Sequence, residues 1–236
     1  MPIEALQIQP GVYRHGTDLE GAGRWRDVNL VRWRNGSLQP IGGWQERTKT
    51  GDTLDKPARG SLGWIDNSFD TNIAVGTYQK LFHISASGTV RDITPVGFAT
   101  GNQNAAINIG YGGNFYGNGY YGTQRESNGV YEEATTWALD TWGEYLVACS
   151  VDDGKLYEWQ LSSSAVAAVI ANAPINNLAL VTTGERFLFA LGAGGNPRKV
   201  QWCDKENNTA WTPLSTNEAG DFELSTNGEI LSGHRL

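Results

Sequence analysis

Apolar and polar positions along this 236-residue chain alternate in short runs, and the runs recur in a fixed order. An apolar run of about five residues is followed by a turn containing Gly or Asp. A strand opened by lysine and closed by a large apolar residue comes next. The order appears at residues 72–76 then 80–84 (Lys80 to end at Ile84), at 144–148 then 155–159 (Lys155, Trp159), and at 186–190 then 199–202 (Lys199, Trp202). Side chains that alternate with period two fit half-buried antiparallel strands. Trp159 and Trp202 stand 43 positions apart, and Ile84 and Trp159 stand 75 apart. The longer step returns to roughly 43 once a Gly-rich insertion of about 32 residues is set aside, which is near the period of four-stranded propeller blades. Units of this kind bury their apolar faces only against one another. The pattern therefore predicts an all-β chain of β-propeller-like repeats of antiparallel sheets, with an N-terminal β-hairpin platform segment and a Gly/Tyr-rich insertion.

The divisions follow from shifts in the pattern. Residues 1–56 form a platform segment and linker, residues 57–236 carry the blades, and 101–133 is an inserted loop. In the first part Asn35-Gly36 separates two alternating runs, the strongest short signal for a hairpin. Leu30, Arg32 and Arg34 point to one side of the outgoing strand, and Val31 and Trp33 to the other. Arg24, Arg26, Arg32 and Arg34 are candidates for meeting phosphates or a partner's carboxylates; the plain alternative is a solvated face balanced by Asp18, Glu20 and Asp27. Residues 165–171 read either as a local helix or as a buried strand. Near the end, residues 221–224 and 229–231 flank Asn227-Gly228 and look like the start of a further blade, so the natural polypeptide is expected to continue past Leu236.

Between positions 101 and 130 stand eight Gly, six Asn and five aromatics, too much glycine for a dense core. Tyr111, Phe115, Tyr116, Tyr120 and Tyr121 are candidate contact residues of a projecting loop, in the manner of adaptable Tyr/Gly-rich binding loops.

Charge narrows the choice of partner. With 18 Lys and Arg against 25 Asp and Glu the net charge is −7, the wrong sign for gripping nucleic acid through its phosphates. Candidate chemistry is thin. His15, His83 and His234 lack metal-ligand spacing, no nucleophile elbow is present, and no cofactor motif stands out. Cys149 and Cys203 sit in predicted strands and read as reduced, buried small hydrophobes. The start of the chain lacks a secretion signal, and no stretch is apolar enough to cross a bilayer. Ser150-Val151-Asp152-Asp153-Gly154-Lys155-Leu156-Tyr157 resembles the Asp-box of sialidases and other propellers. In that family the box is a structural hairpin turn, which assigns Asp152 as the side chain that caps backbone N–H groups and Gly154 as the positive-φ residue.

Residues 10–14 (Pro-Gly-Val-Tyr-Arg), the run 23–33 (Gly-Arg-Trp-Arg-Asp-Val-Asn-Leu-Val-Arg-Trp) and the return 40–44 (Pro-Ile-Gly-Gly-Trp) look like the start of a bacteriophage virion protein. Together with the Trp- and Lys-bearing repeats they resemble the tail hub, or nozzle, proteins of short-tailed phages. The resemblance implies a β-propeller with a separate platform, assembled as a ring of typically six subunits below the portal and adaptor. Such a ring continues the DNA ejection channel, lets DNA pass without tight binding, and anchors fibres or a needle. It implies a virion location in the tail for a protein made in the host cytoplasm, and no enzymatic role. The competing expectation is a carbohydrate-binding or carbohydrate-cleaving, sialidase-like propeller.

Overall fold

A computed structural model describes residues 11–43, 46, 48, 49, 51–105 and 133–235. The chain divides into two compact units, Met1–Arg47 and Thr48–Leu236. In the first, β1 (Val31–Arg34) and β2 (Ser37–Pro40) pair as an antiparallel hairpin with Arg32 opposite Gln39 and Trp33 opposite Leu38. Asn35 and Gly36 both take positive φ, 51° and 74°, as a two-residue hairpin turn requires. The outgoing strand is shorter than the alternation implied. Leu30 has φ 55°, which breaks the extended run, and residues 12 and 25 meet only in an isolated bridge.

Among its described residues the second unit is all-β and holds three four-stranded antiparallel sheets, each a simple meander. Blade 1 consists of β3 (Gly60–Ile65), β4 (Thr71–Gly76), β5 (Leu81–Ile84) and β6 (Val90–Asp92). Blade 2 consists of β7 (Trp137–Trp142), β8 (Tyr145–Ser150), β9 (Leu156–Trp159) and β10 (Ala168–Val169). Blade 3 consists of β11 (Ala179–Thr182), β12 (Leu188–Leu191), β13 (Lys199–Trp202) and β14 (Gly220–Glu223). The first strands β3, β7 and β11 lie side by side in that order. The recurring motif of the sequence is thus the two central strands of each sheet.

Strand alternation sends successive side chains to opposite faces, so each central strand serves two neighbours. On β8, Leu146 and Ala148 join a core with blade 1, while Val147 and Cys149 join a core with blade 3. On β9, Tyr157 and Trp159 turn to blade 1 and Leu156 to blade 3. Burying each of the leucines at 81, 146, 156 and 188 contributes about 2 kcal/mol. The lysine that opens each third strand is held by an acid. Lys80 pairs with Asp92 at 2.8 Å and Lys199 with Asp221 at 3.2 Å, both partners lying on the outermost strand. Blade 2 has no acid on β10, and Lys155 turns to Asp153 at 3.0 Å instead.

Three sequence expectations are revised. Residues 221–223 do not begin a fourth blade: β14 pairs with β13, Val200 opposite Phe222, and completes blade 3. Residues 165–171 supply the exposed outer strand β10 rather than a helix or a buried strand. Residues 48, 49 and 51–56, read as linker, fall in the second unit. The Lys49 N–H donates to Gly88 O at 2.9 Å, the Val90 N–H donates to the Asp52 carboxylate at 3.1 Å, and the Arg59 N–H donates to Gly76 O at 2.7 Å. These bonds tie the segment to blade 1 beside β6 and at the end of β4; Val75 and Phe82, on the face of blade 1 remote from blade 2, are buried.

Candidate functional site

The junctions between blades concentrate the buried polar groups of the described residues. At the first junction the Trp137 indole occupies the space beside Gly76, and its Nε1 donates to Thr77 O at 2.7 Å. Trp64 Nε1 donates to Glu144 O at 3.0 Å, tying β3 to the β7–β8 turn. His83 is wedged between Trp64 and Trp159, with ring centroids 6.3 and 4.6 Å away. Its Nε2 donates to Asn72 Oδ1 at 2.8 Å. Burial, aided by the charge of Arg91, lowers its pKa to about 4, so the imidazole is neutral across the physiological range.

At the second junction Asp140 of β7 acts as a clasp. One carboxylate oxygen accepts from both the Thr182 N–H and its hydroxyl at 2.8 Å, and the other accepts from the Thr141 N–H at 2.8 Å. Asn177, fully buried, donates to Gly154 O at 2.8 Å and to Pro174 O at 2.6 Å. The guanidinium of Arg186 lies over the Trp142 ring at 5.3 Å. Cys149 and Cys203 are free, buried thiols in this core, and burial pushes them up to about 12 and about 11.

Where the first strands converge, residues 60–62, 136–140 and 178–181 line an open cavity of about 730 Å³. Residues 231–235 enter the same cavity, so the C-terminal segment lies against the inner edge of the blades.

The Asp-box turn departs from its family pattern. Gly154 has φ 64°, as expected, and a Cβ there would come within 2.6 Å of Asn176 Cα. Asp152, however, is exposed and accepts a long bond from Asn102 Nδ2 at 3.4 Å rather than capping the turn. The buried acid is its neighbour Asp153, which takes the Tyr157 hydroxyl and the Lys155 ammonium. Burial and the Asp153 hydrogen bond push the Tyr157 phenol well above its usual range.

The four arginines differ in what engages them. Within the N-terminal unit Arg26 is paired with Asp18, and Arg24 lies over the Tyr13 ring at 5.6 Å. Arg32 and Arg34 are exposed on β1. Tyr111, Phe115, Tyr116, Tyr120 and Tyr121 lie outside the described residues. The two stems of that insertion meet at Asn102: the Thr135 N–H donates to its carbonyl at 3.0 Å, and its side chain donates to Glu133 O at 3.4 Å.

The sequence assigns no role to His83, Asp140 or Asp153. Each sits beside partners more than ten positions away or breaks a motif by one position, and neither circumstance leaves a local signal. Among the described residues no group of three or more His, Cys, Asp or Glu is placed to hold a metal ion. None of their helices is long and apolar enough to cross a membrane.

No protein-family model matches the chain, and no curated protein matches it. Among solved structures, the crystal structure of selenomethionine-substituted virginiamycin B lyase from Staphylococcus aureus is similar over 77% of this chain and 62% of that one, with 12% identity and a TM-score of 0.27. At that score the all-β, propeller-like description rests on the three sheets themselves.

Proposed function

We propose that this chain is a structural subunit of a bacteriophage tail, of the hub or nozzle type, and is not itself an enzyme. In this reading copies assemble into a ring, typically of six, that continues the DNA ejection channel below the portal and adaptor and anchors fibres or a needle. The observation that carries the reading is the row of three blades with an apolar face uncovered at one end, where Phe222 is 59% exposed. A row of this kind is built to be continued by a neighbour. The N-terminal motifs that resemble phage virion proteins support it, and so does a net charge of −7, which suits a wall along which DNA slides without being held.

The alternative is a carbohydrate-binding or carbohydrate-cleaving propeller of a tail. Glycoside cleavage uses two carboxylates facing one cleft. Asp140 and Asp153 are each committed to junction or turn hydrogen bonds, which weighs against them in that role. Negative-stain microscopy of the purified protein tests the proposal. Rings with a central hole are the expected result. A monomer that releases new reducing ends from host polysaccharide would overturn it in favour of the alternative.

A further inference from the structure

The hydrogen bonds that seat His83 also fix which of its nitrogens carries the proton. Both hydrogens of the Asn72 side-chain amide are in use: Nδ2 donates to Asp66 Oδ2 at 3.1 Å and to Asp70 O at 3.2 Å. Asn72 therefore turns its Oδ1, which can only accept, to His83 Nε2. The proton sits on Nε2, and Nδ1 keeps a bare lone pair. His83 is 8% exposed, and among the described residues nothing donates to its Nδ1. The ring is neutral down to about pH 4, so Nδ1 is an acceptor at physiological pH.

His83 lines an open cavity of about 320 Å³ at the first junction, together with Asp66, Asp70, Ser85 and Ser87. Its Nε2 is spent on Asn72, so Nδ1 is the polar atom that the ring offers there. The Asp66 carboxylate accepts from the Ser68 and Asp70 N–H groups at 2.9 and 3.0 Å. The bonds from Asp70 and Asn72 hold its carboxyl below the usual carboxylate range, which makes it a fixed negative charge. The Asp70 carboxylate is exposed and accepts from no described residue. Among the described residues no lysine or arginine lines the cavity. Arg91, opposite His83 on β6, turns its guanidinium to Ser162 O and Ala165 O instead.

A site that is negative and rich in acceptors is matched by a ligand that brings positive charge and N–H groups. Two other classes fit less well. The described residues hold no group of three or more His, Cys, Asp or Glu that could grip a metal ion. A sugar ring packs on an open aromatic face, but Trp159, in the same wall, is 3% exposed and covered by the His83 ring at 4.6 Å.

We propose that this cavity binds an organic cation with N–H donors, an alkylammonium group carried by a free amine or by a lysine side chain. Its charge lies against Asp66 and Asp70, and one N–H donates to His83 Nδ1. The site lies within a single chain and is independent of the ring reading.

Nitrogen NMR of the full chain with isotope-labelled histidine tests it, with His83→Gln identifying the signal. The expected result is that n-butylammonium moves the His83 Nδ1 resonance saturably. Tetramethylammonium, equally charged but without N–H groups, should leave it in place. Asp70→Asn should weaken binding about tenfold, the loss of one charge-assisted hydrogen bond. Glu185→Gln, the same charge change at an exposed residue of blade 3, is the control and should leave binding alone. A tetralysine peptide that binds more tightly than butylammonium makes a lysine side chain the source, and one that binds no more tightly makes it a free amine. An Nδ1 signal that butylammonium does not move, or that tetramethylammonium moves equally, overturns the proposal. Binding that Asp70→Asn leaves intact overturns it too, as does a response to methyl glucoside alone, which would make the cavity a sugar site.

Discussion

Trp137 of blade 2 fills the space that a side chain on Gly76 of blade 1 would need: a Cβ at position 76 would lie 2.5 Å from the Trp137 Nε1. Two consecutive sheets are keyed together by the absence of one methyl group. Gly76→Ala should destabilise the fold by about 2 kcal/mol through overpacking, lowering the melting temperature by roughly 4–8 °C for a domain of this size. Thermal denaturation followed by circular dichroism measures it, and an unchanged midpoint would mean that the junction is looser than described.

His83 gives the first junction a pH dependence. It stays neutral in the fold down to about pH 4, whereas in the unfolded chain it takes up a proton near the ordinary imidazole value of 6.5. Between those values the unfolded state binds more protons, so stability falls as the solution is acidified through that window and the effect levels off below it. The whole window is worth on the order of 3 kcal/mol. Melting curves from pH 7 to pH 4 should show this slope in the native protein. In His83→Gln the slope should be shallower, from a lower starting stability.

Cys149 and Cys203 should not react with a thiol reagent at mildly alkaline pH while the protein is folded, because burial holds both as neutral thiols. Denaturant should release two thiols per chain. Rapid labelling of either one in native buffer would contradict the core between blades 2 and 3.

Arg32 and Arg34 are exposed on the hairpin, unlike Arg26, which Asp18 already holds. If they meet an acidic partner during assembly, Arg32→Glu with Arg34→Glu should abolish ring formation without altering the melting temperature. Unchanged assembly on microscope grids would make them solvated residues only.

Much of the fold was legible because the central strands carry the strongest alternation. Residues 72–76 lie within β4 as read, whereas the second and third runs begin later than the pattern implied: β8 starts at Tyr145, and β12 starts at Leu188 because Arg186 takes φ 64°. The outer strands were harder. The run from Trp159 to Gly184 holds no charge, so β10 resembled a buried element although its backbone forms a sheet edge. The last strand, β14, was separated from blade 3 by a turn-rich stretch and was assigned to a blade of its own. Lys49 and Arg59 engage blade 1 through their backbone N–H groups, and backbone hydrogen bonds leave little trace in side-chain pattern. At the Asp-box turn the motif pointed to Asp152, one position before the acid that is buried. The arginines were visible, but not that Asp18 and Tyr13 engage two of them, since such pairing is decided by tertiary placement.

The central claim is a serial row in which blade 2 is covered on both sides and blade 3 on one. Amide hydrogen exchange read by mass spectrometry tests it most directly. The slowest exchange should fall in β8 and β9, where Leu146, Val147, Ala148, Cys149, Leu156 and Tyr157 are at most 1% exposed. β13 and β14 should exchange faster in the monomer. Equal protection of all three sheets, or greatest protection in β13 and β14, would contradict the row.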